Sequence, residues 1–227
     1  MCGRFTLTQS AEAIAEAFDL DEVPRFVPGY NIAPTQPVPT IRTSKTGGRE
    51  FDYLYWGLIP SWSKDPAIGA RMINARAETV TEKPSFRTAF KRRRCLIVAD
   101  GFYEWQKLDS KKQPYYFQLQ DHRIFGFAGL WEHWHSPEGD EIQSCTILTT
   151  AANELMRSVH DRMPVILHPQ DYDLWLDPTI QASERLHSLL RPYPDAEMHA
   201  YPVSTRVNSP QNDSPDCIAP LEQASVD

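Results

Sequence analysis

The 227-residue chain contains no apolar run near the ~18 residues that a membrane span requires. It also lacks the basic-then-apolar leader of a secreted protein, so a cytoplasmic protein with no membrane contact is expected. Cysteine is scarce. The four residues, Cys2, Cys95, Cys145 and Cys217, form no C-x-x-C pair. That spacing argues against a zinc site, and a reducing compartment argues against structural disulfides. No metal and no cofactor are expected. The chain shows no internal repeat and no linker that would divide it, so one domain over 1–220 is expected, followed by a short tail at 221–227.

Positive charge is also short overall, with a net charge of −7. Taken alone, this speaks against a nucleic-acid partner. The distribution changes that reading. Eight Lys/Arg against two Glu lie between Ala70 and Arg94, a window of +6 on a body of −13. Such a stretch can form a local phosphate track, although for the Lys91–Arg94 run alone a solvated basic face is the better account.

The second residue carries the most chemical information. A small residue at position 2 favours removal of the initiator methionine, and Cys2 satisfies that condition. Cys2 would then carry a free α-amine, titrating near ~7.7–8.0, beside a thiol titrating near ~8.5. An aldehyde meeting this pair forms a Schiff base with the amine, and the thiol then closes a five-membered thiazolidine. An amide would instead be attacked by the thiolate, with the amine as base.

Four segments are loaded with reactive groups. In Cys2-Gly3-Arg4, glycine permits close approach and Arg4 places a fixed charge by the terminus. In the segment 71–78, Asn74 and Arg76 share one face of an extended chain; Asn74 suits a sugar oxygen and Arg76 a phosphate. Glu104 lies between Tyr103 and Trp105 in an aromatic strand. Desolvation there would raise its proton affinity, whereas an edge strand would turn it to water. His160 precedes Asp161 and Arg162 near Pro164, where a helix must end. Trp56 and Trp62 flank a proline loop. Trp56 reads as core, and Trp62 is a candidate for base stacking.

The pattern of elements predicts an α+β domain with a mainly antiparallel, barrel-like β core flanked by helices. Ser10 should cap a helix over 11–20. Strands are predicted at 51–58, 95–99, 102–106, 115–119, 124–131, 145–149 and 201–203, with a hairpin turn at 109–112. Asn153 should cap a short helix leading to His160, and further helices are predicted at 169–176 and 183–190. Residues 24–39 read as a proline-rich irregular loop, and the chain from Asn208 onward as a loosely ordered end.

Seven short motifs occur in order: MCGRF at 1–5, YNIAP at 30–34, WGLIP at 56–60, NARAE at 74–78, DGFYEW at 100–105, TTAAN at 149–153 and HDRMP at 160–164. Together they resemble the SOS-response-associated peptidase (SRAP) family of abasic-site processing proteins. The resemblance implies a DNA-damage protein that traps abasic sites of single-stranded DNA as a covalent thiazolidine on Cys2. It implies Asn74, Glu104 and His160 as further catalytic residues. Arg4, Arg76 and Arg162 would hold phosphates, with Trp62 and Thr149 as further DNA contacts. It also implies a possible strand-cleaving lyase side reaction and an autopeptidase activity. A monomer, associated with the nucleoid when on DNA, is expected. The competing reading is an N-terminal-nucleophile amidohydrolase of the glutamine amidotransferase type. That enzyme would need an oxyanion hole and a carboxylate clamp, which the sequence does not display.

Overall fold

The computed structural model describes residues 2–44, 46–109 and 111–221. Its strands are β1 (Phe5–Leu7), β2 (Gly29–Ile32), β3 (Pro37–Thr43), β4 (Arg49–Trp56), β5 (Asn74–Arg76), β6 (Arg94–Ala99), β7 (Gly101–Leu108), β8 (Lys111–Leu119), β9 (Phe125–His135), β10 (Glu141–Ala151), β11 (Arg162–Pro164), β12 (Ile166–Leu167) and β13 (Met198–Pro202). The helices are α1 (Ala11–Phe18), α2 (Arg87–Arg92), α3 (Glu154–Arg157), α4 (Tyr172–Leu176) and α5 (Ser183–His187).

Five strands close into a barrel. β10 runs parallel to β4 and antiparallel to β9, while β4–β3, β3–β6 and β6–β9 are all antiparallel. This is the α+β, mainly antiparallel, barrel-like architecture that the sequence predicts. β6 shows why a continuous apolar run fits here. Every residue of RCLIVA is buried. Leu96 and Val98 join a core formed with α1, α2 and α4, whereas Cys95, Ile97 and Ala99 join a second core with Phe5, Trp56 and Phe127. A strand covered on both faces cannot show polar alternation.

The second sheet, ordered β13-β8-β7-β1-β2, is antiparallel throughout and two-faced. Phe102 and Phe117 stack at 5.1 Å and turn toward the second core. Their neighbours Tyr103 and Tyr116 point the other way and pack on Val203, Val207 and Cys217. Alternation of side chains along a strand requires this division. It also corrects the expectation of a loose end after Asn208. The segment covers the tyrosine face, buries Cys217, and adds a bridge between Val203 and Pro220. Residues 222–227, most of the expected tail, lie outside the described residues.

Two local expectations shift in detail. α1 starts as expected, with the Ser10 Oγ accepting from the Ala13 N–H at 3.2 Å, but ends at Phe18 because Asp19 turns left-handed at φ 53°. The proline-rich stretch is not wholly irregular, since β2 and the start of β3 fall inside it. The expected turn at 109–112 includes Ser110, which lies outside the described residues.

Strand β10 organises the functional end. Its first half belongs to the barrel. Its second half takes β5 on one side, with Ile147 opposite Asn74, and β11 on the other, with Ala151 opposite Arg162. Two of the chemically loaded segments are thereby brought alongside each other by backbone pairing alone.

Candidate active site around Cys2

Cys2 precedes β1 and is fully buried. Its carbonyl accepts a 2.8 Å hydrogen bond from Asn74 Nδ2, which fixes the N-terminal segment against β5. The Asn74 Oδ1 is buried with no hydrogen-bond partner among the described residues, so it retains acceptor capacity at the same place. Burial, with the charge of Glu104 adding to it, pushes the Cys2 thiol up to about 12. Sulfur here is a protonated thiol at neutral pH, and Glu104 is close enough to be felt by it.

Glu104 sits on β7, on the same face as Phe102, and is only 5% exposed. Its carboxyl is pushed up by burial, and the nearby His160 opposes that shift. The expected desolvation is present, but its origin differs from the one read in the sequence. Tyr103 and Trp105 lie on the opposite face of the strand; the cover comes from the second core. The alternative of a water-facing carboxylate on an edge strand is overturned.

His160 follows α3, which the Asn153 side chain caps by accepting from the Met156 N–H at 2.9 Å. The His160 Nδ1 lies 3.0 Å from the Arg162 N–H and 2.9 Å from Asp161 Oδ1. These contacts ask opposite roles of one nitrogen. The backbone donor is fixed, while the Asp161 side chain is 88% exposed and free to turn, so Nδ1 is the acceptor. A neutral ring then carries its proton on Nε2. Gln106 on β7 donates to the Ser158 carbonyl at 2.9 Å, tying the Glu104 strand to the His160 corner.

Asp100 holds the other end of β7. Its carboxylate accepts from the Thr6 hydroxyl at 2.6 Å, and from the Thr8 N–H and hydroxyl at 2.6 and 2.7 Å. Gly101 follows it, and a Cβ there would stand 2.1 Å from the Tyr116 hydroxyl. That hydroxyl also reaches Thr6 at 2.8 Å. The DGFYEW motif is therefore a joint between β1 and β7 as well as the source of Glu104.

A sequence model of the SOS response associated peptidase (SRAP) family matches residues 1–210. The chain belongs to the SRAP family. It is 50% identical over 222 residues to Abasic site processing protein YoqW of Bacillus subtilis strain 168, which covers 96% of this SRAP chain and 99% of that protein. It is 34% identical over 231 residues to Abasic site processing protein HMCES of Xenopus tropicalis, covering 87% and 67% of the two. A crystal structure of a Bacteroides thetaiotaomicron protein matches with a TM-score of 0.83 at 27% identity, covering 97% of this chain and 100% of that one.

The remaining expected contacts of the SRAP chain divide. Arg162 is clamped: NH1 and NH2 donate to the Glu78 carboxylate at 2.6 and 3.0 Å, and NH2 reaches the Thr149 carbonyl at 2.7 Å. The same interaction holds the Glu78 carboxyl below its ordinary range. Thr149 is wholly buried, and its hydroxyl accepts from Arg162 at 3.2 Å. Arg4 turns to the C-terminal segment, donating to Asn31 Oδ1 and the Val207 carbonyl at 2.7 Å each. Arg76 is exposed at the end of β5. Trp62 is 60% exposed on a loop anchored by the Trp134 Nε1 bond to the Ser63 carbonyl at 2.7 Å, while Trp56 is core, as expected.

The basic window is thinner than its sequence count. Arg94 is buried, and Arg93 donates to Glu132 at 2.7 Å, leaving the outward charge on residues such as Arg71, Arg76, Arg87 and Arg92. A cavity of about 740 Å³ lined by Asp19, Asp21, Asp173 and Asp177 stands apart from these residues. Its acidic rim disfavours phosphate. Two residues escaped the sequence reading. Asn31 is the hub of the C-terminal segment, and Glu78 is the clamp on Arg162. Both lie inside quoted motifs, but neither has a neighbour pattern that marks it.

Proposed function

We propose that this chain captures abasic sites in single-stranded DNA through Cys2. The convergence of Asn74, Glu104 and His160 on a buried Cys2 carries the reading, supported by 50% identity to a protein named for abasic site processing. After removal of Met1, the α-amine of Cys2 attacks C1′ of the ring-opened sugar, an aldehyde. The resulting carbinolamine loses water to give a Schiff base. The thiol then adds across the C=N bond, sulfur to carbon and proton to nitrogen, closing the thiazolidine with one water released overall.

The site's electrostatics favour this order. Burial raises the proton affinity of the Cys2 thiol and disfavours the thiolate, so nitrogen attacks first and sulfur second. This also weakens the amidohydrolase alternative, which needs a thiolate at the outset. Glu104, with its proton affinity raised by burial, gives a proton to the departing hydroxyl and takes one from the thiol. Asn74 holds the Cys2 carbonyl and offers Oδ1 to a sugar hydroxyl. His160 donates from Nε2 to the sugar oxygen. Arg162 is rigid enough to position a phosphate, and Arg76 and Trp62 offer exposed charge and a stacking face. The same Schiff base permits β-elimination, a lyase side reaction.

Intact-mass spectrometry before and after mixing with an oligonucleotide carrying one abasic site tests the proposal. Wild-type protein lacking Met1 should gain the mass of the oligonucleotide less one water. Cys2→Ala should gain none. An adduct formed equally by Cys2→Ala would sink the reading and point to a lysine amine.

A further inference from the structure

Far from Cys2, the β9–β10 hairpin carries a cluster that the abasic-site chemistry does not use. His133 and His135 are two apart on β9 and share one face of the strand. Glu141 opens β10 directly opposite His135 and diagonal to His133. One carboxylate serves both rings: Glu141 Oε2 is 3.2 Å from His133 Nε2, and Oε1 is 3.2 Å from His135 Nδ1. The two imidazoles lie 4.2 Å apart between centroids. A set of one ligand atom from each residue lies within 4.8 Å of one another.

Those separations have a specific meaning. Ligand atoms at ~2.0–2.1 Å from a tetrahedral Zn²⁺ stand about 3.3 Å apart. Each Glu–His spacing is close to that edge, one to each carboxylate oxygen, and the 4.8 Å span of one ligand atom from each residue leaves a modest contraction for a bound ion to make. Two imidazoles and a carboxylate with an outward-facing fourth position are a donor set that zinc accepts. The frame is also stiff. Ser136 N–H donates to the Asp140 carbonyl at 2.8 Å, and Gly139 takes φ 97° in the turn, which locks the 135:141 register. Between the two histidines, Trp134 points to the other face and anchors the Ser63 carbonyl. The side chains are 36%, 56% and 60% exposed for His133, His135 and Glu141, so an ion enters without rearrangement of the core.

We propose that His133, His135 and Glu141 form a three-ligand zinc site at the tip of the β9–β10 hairpin, completed by water. Glu141 and Thr149 stand eight positions apart on β10, about 26 Å at the rise of an extended strand, so the site is remote from the Cys2 chemistry. The absence of a cysteine pair in the sequence does not bear on it, because strand pairing rather than a short spacing assembles the ligands. Bound metal would pin the strand that holds the Trp62 loop.

The test uses tag-free full-length protein titrated with Zn²⁺ by calorimetry, and with Co²⁺ read by visible absorption. Wild type should bind one zinc per chain at this site, and Co²⁺ should show the intense ligand-field bands of a tetrahedral ion. His133→Ala/His135→Ala should weaken that event at least tenfold and remove the bands, with circular dichroism unchanged. Glu141→Gln should weaken it to a lesser degree. Equal uptake by wild type and the double variant would overturn the proposal. So would loss of the site in Cys2→Ser with the histidines intact.

Discussion

Two charged side chains are buried on different sides of the barrel, and they are treated in opposite ways. Arg94 is 3% exposed, and its five N–H donors meet five backbone carbonyls: Nε to Trp175, NH1 to Phe90 and Lys91, NH2 to Asp177 and Ile180. Burial lowers its proton affinity to about 10, which still leaves it charged at every physiological pH. Glu104 is comparably buried, but burial pushes its carboxyl toward neutrality instead of leaving it charged. A charge that holds structure is given a full set of partners. A carboxyl that burial pushes upward holds its proton more tightly and can exchange it, which is the condition for acid–base work.

The largest effect should come from breaking the well-coordinated member. Arg94→Met keeps apolar bulk but strands carbonyls from the ends of α2 and α4. We expect a loss of about 3–5 kcal/mol in unfolding free energy, measured by urea denaturation, with crosslinking per folded molecule unchanged. A loss below ~1 kcal/mol would mean that the carbonyls find water and that the contrast with Glu104 is overstated. Next comes the other member. Glu104→Gln keeps the shape but cannot exchange a proton. Crosslinking to an abasic oligonucleotide should slow by roughly 10²-fold, with DNA affinity nearly intact. An unchanged rate removes Glu104 from the chemistry.

The same contrast explains what the sequence could and could not reveal. Glu104 was legible because a carboxylate inside an aromatic strand is an anomaly that propensity does not explain. Its partners were legible only through motif likeness, since β5 and β11 meet on β10 across more than 70 residues of chain. Arg94 was misread as one more member of a basic run. Nothing local distinguishes it from Arg92; the carbonyls of Trp175, Asp177 and Ile180, which complete its set, arrive only with the return of the chain 81 or more residues later. The barrel was legible from short apolar strands, whereas the order of residues 208–221 was not. That segment is polar in sequence because many of its contacts are hydrogen bonds, made by backbone carbonyls to Asn31 and by the Asn208 and Asp213 side chains.

Asn31 provides the next test. Its Nδ2 donates to the carbonyls of Val207, Ser209 and Asn212 at 3.2, 3.0 and 2.7 Å, while Oδ1 accepts from Arg4. Asn31→Ala should cost about 2 kcal/mol. The loss should be local: hydrogen exchange should accelerate over 205–217 more than in the barrel. Uniform acceleration would show that the C-terminal segment and the barrel unfold as one unit.

The smallest effect separates stability from function at Glu104 itself. A carboxyl whose folded proton affinity is raised binds its proton more tightly in the native state than in the unfolded chain. Between the ordinary glutamate value, ~4.3, and the raised folded value, rising pH therefore removes stability. Glu104→Gln abolishes that loss. The variant should unfold at a higher temperature than wild type at pH 7, and the gap should narrow as pH falls toward the ordinary carboxylate range, where both side chains are neutral. A gap that stays constant with pH would mean that the Glu104 carboxylate is stabilised in the fold as well as it is in water, and the distinction between the two buried charges would fail.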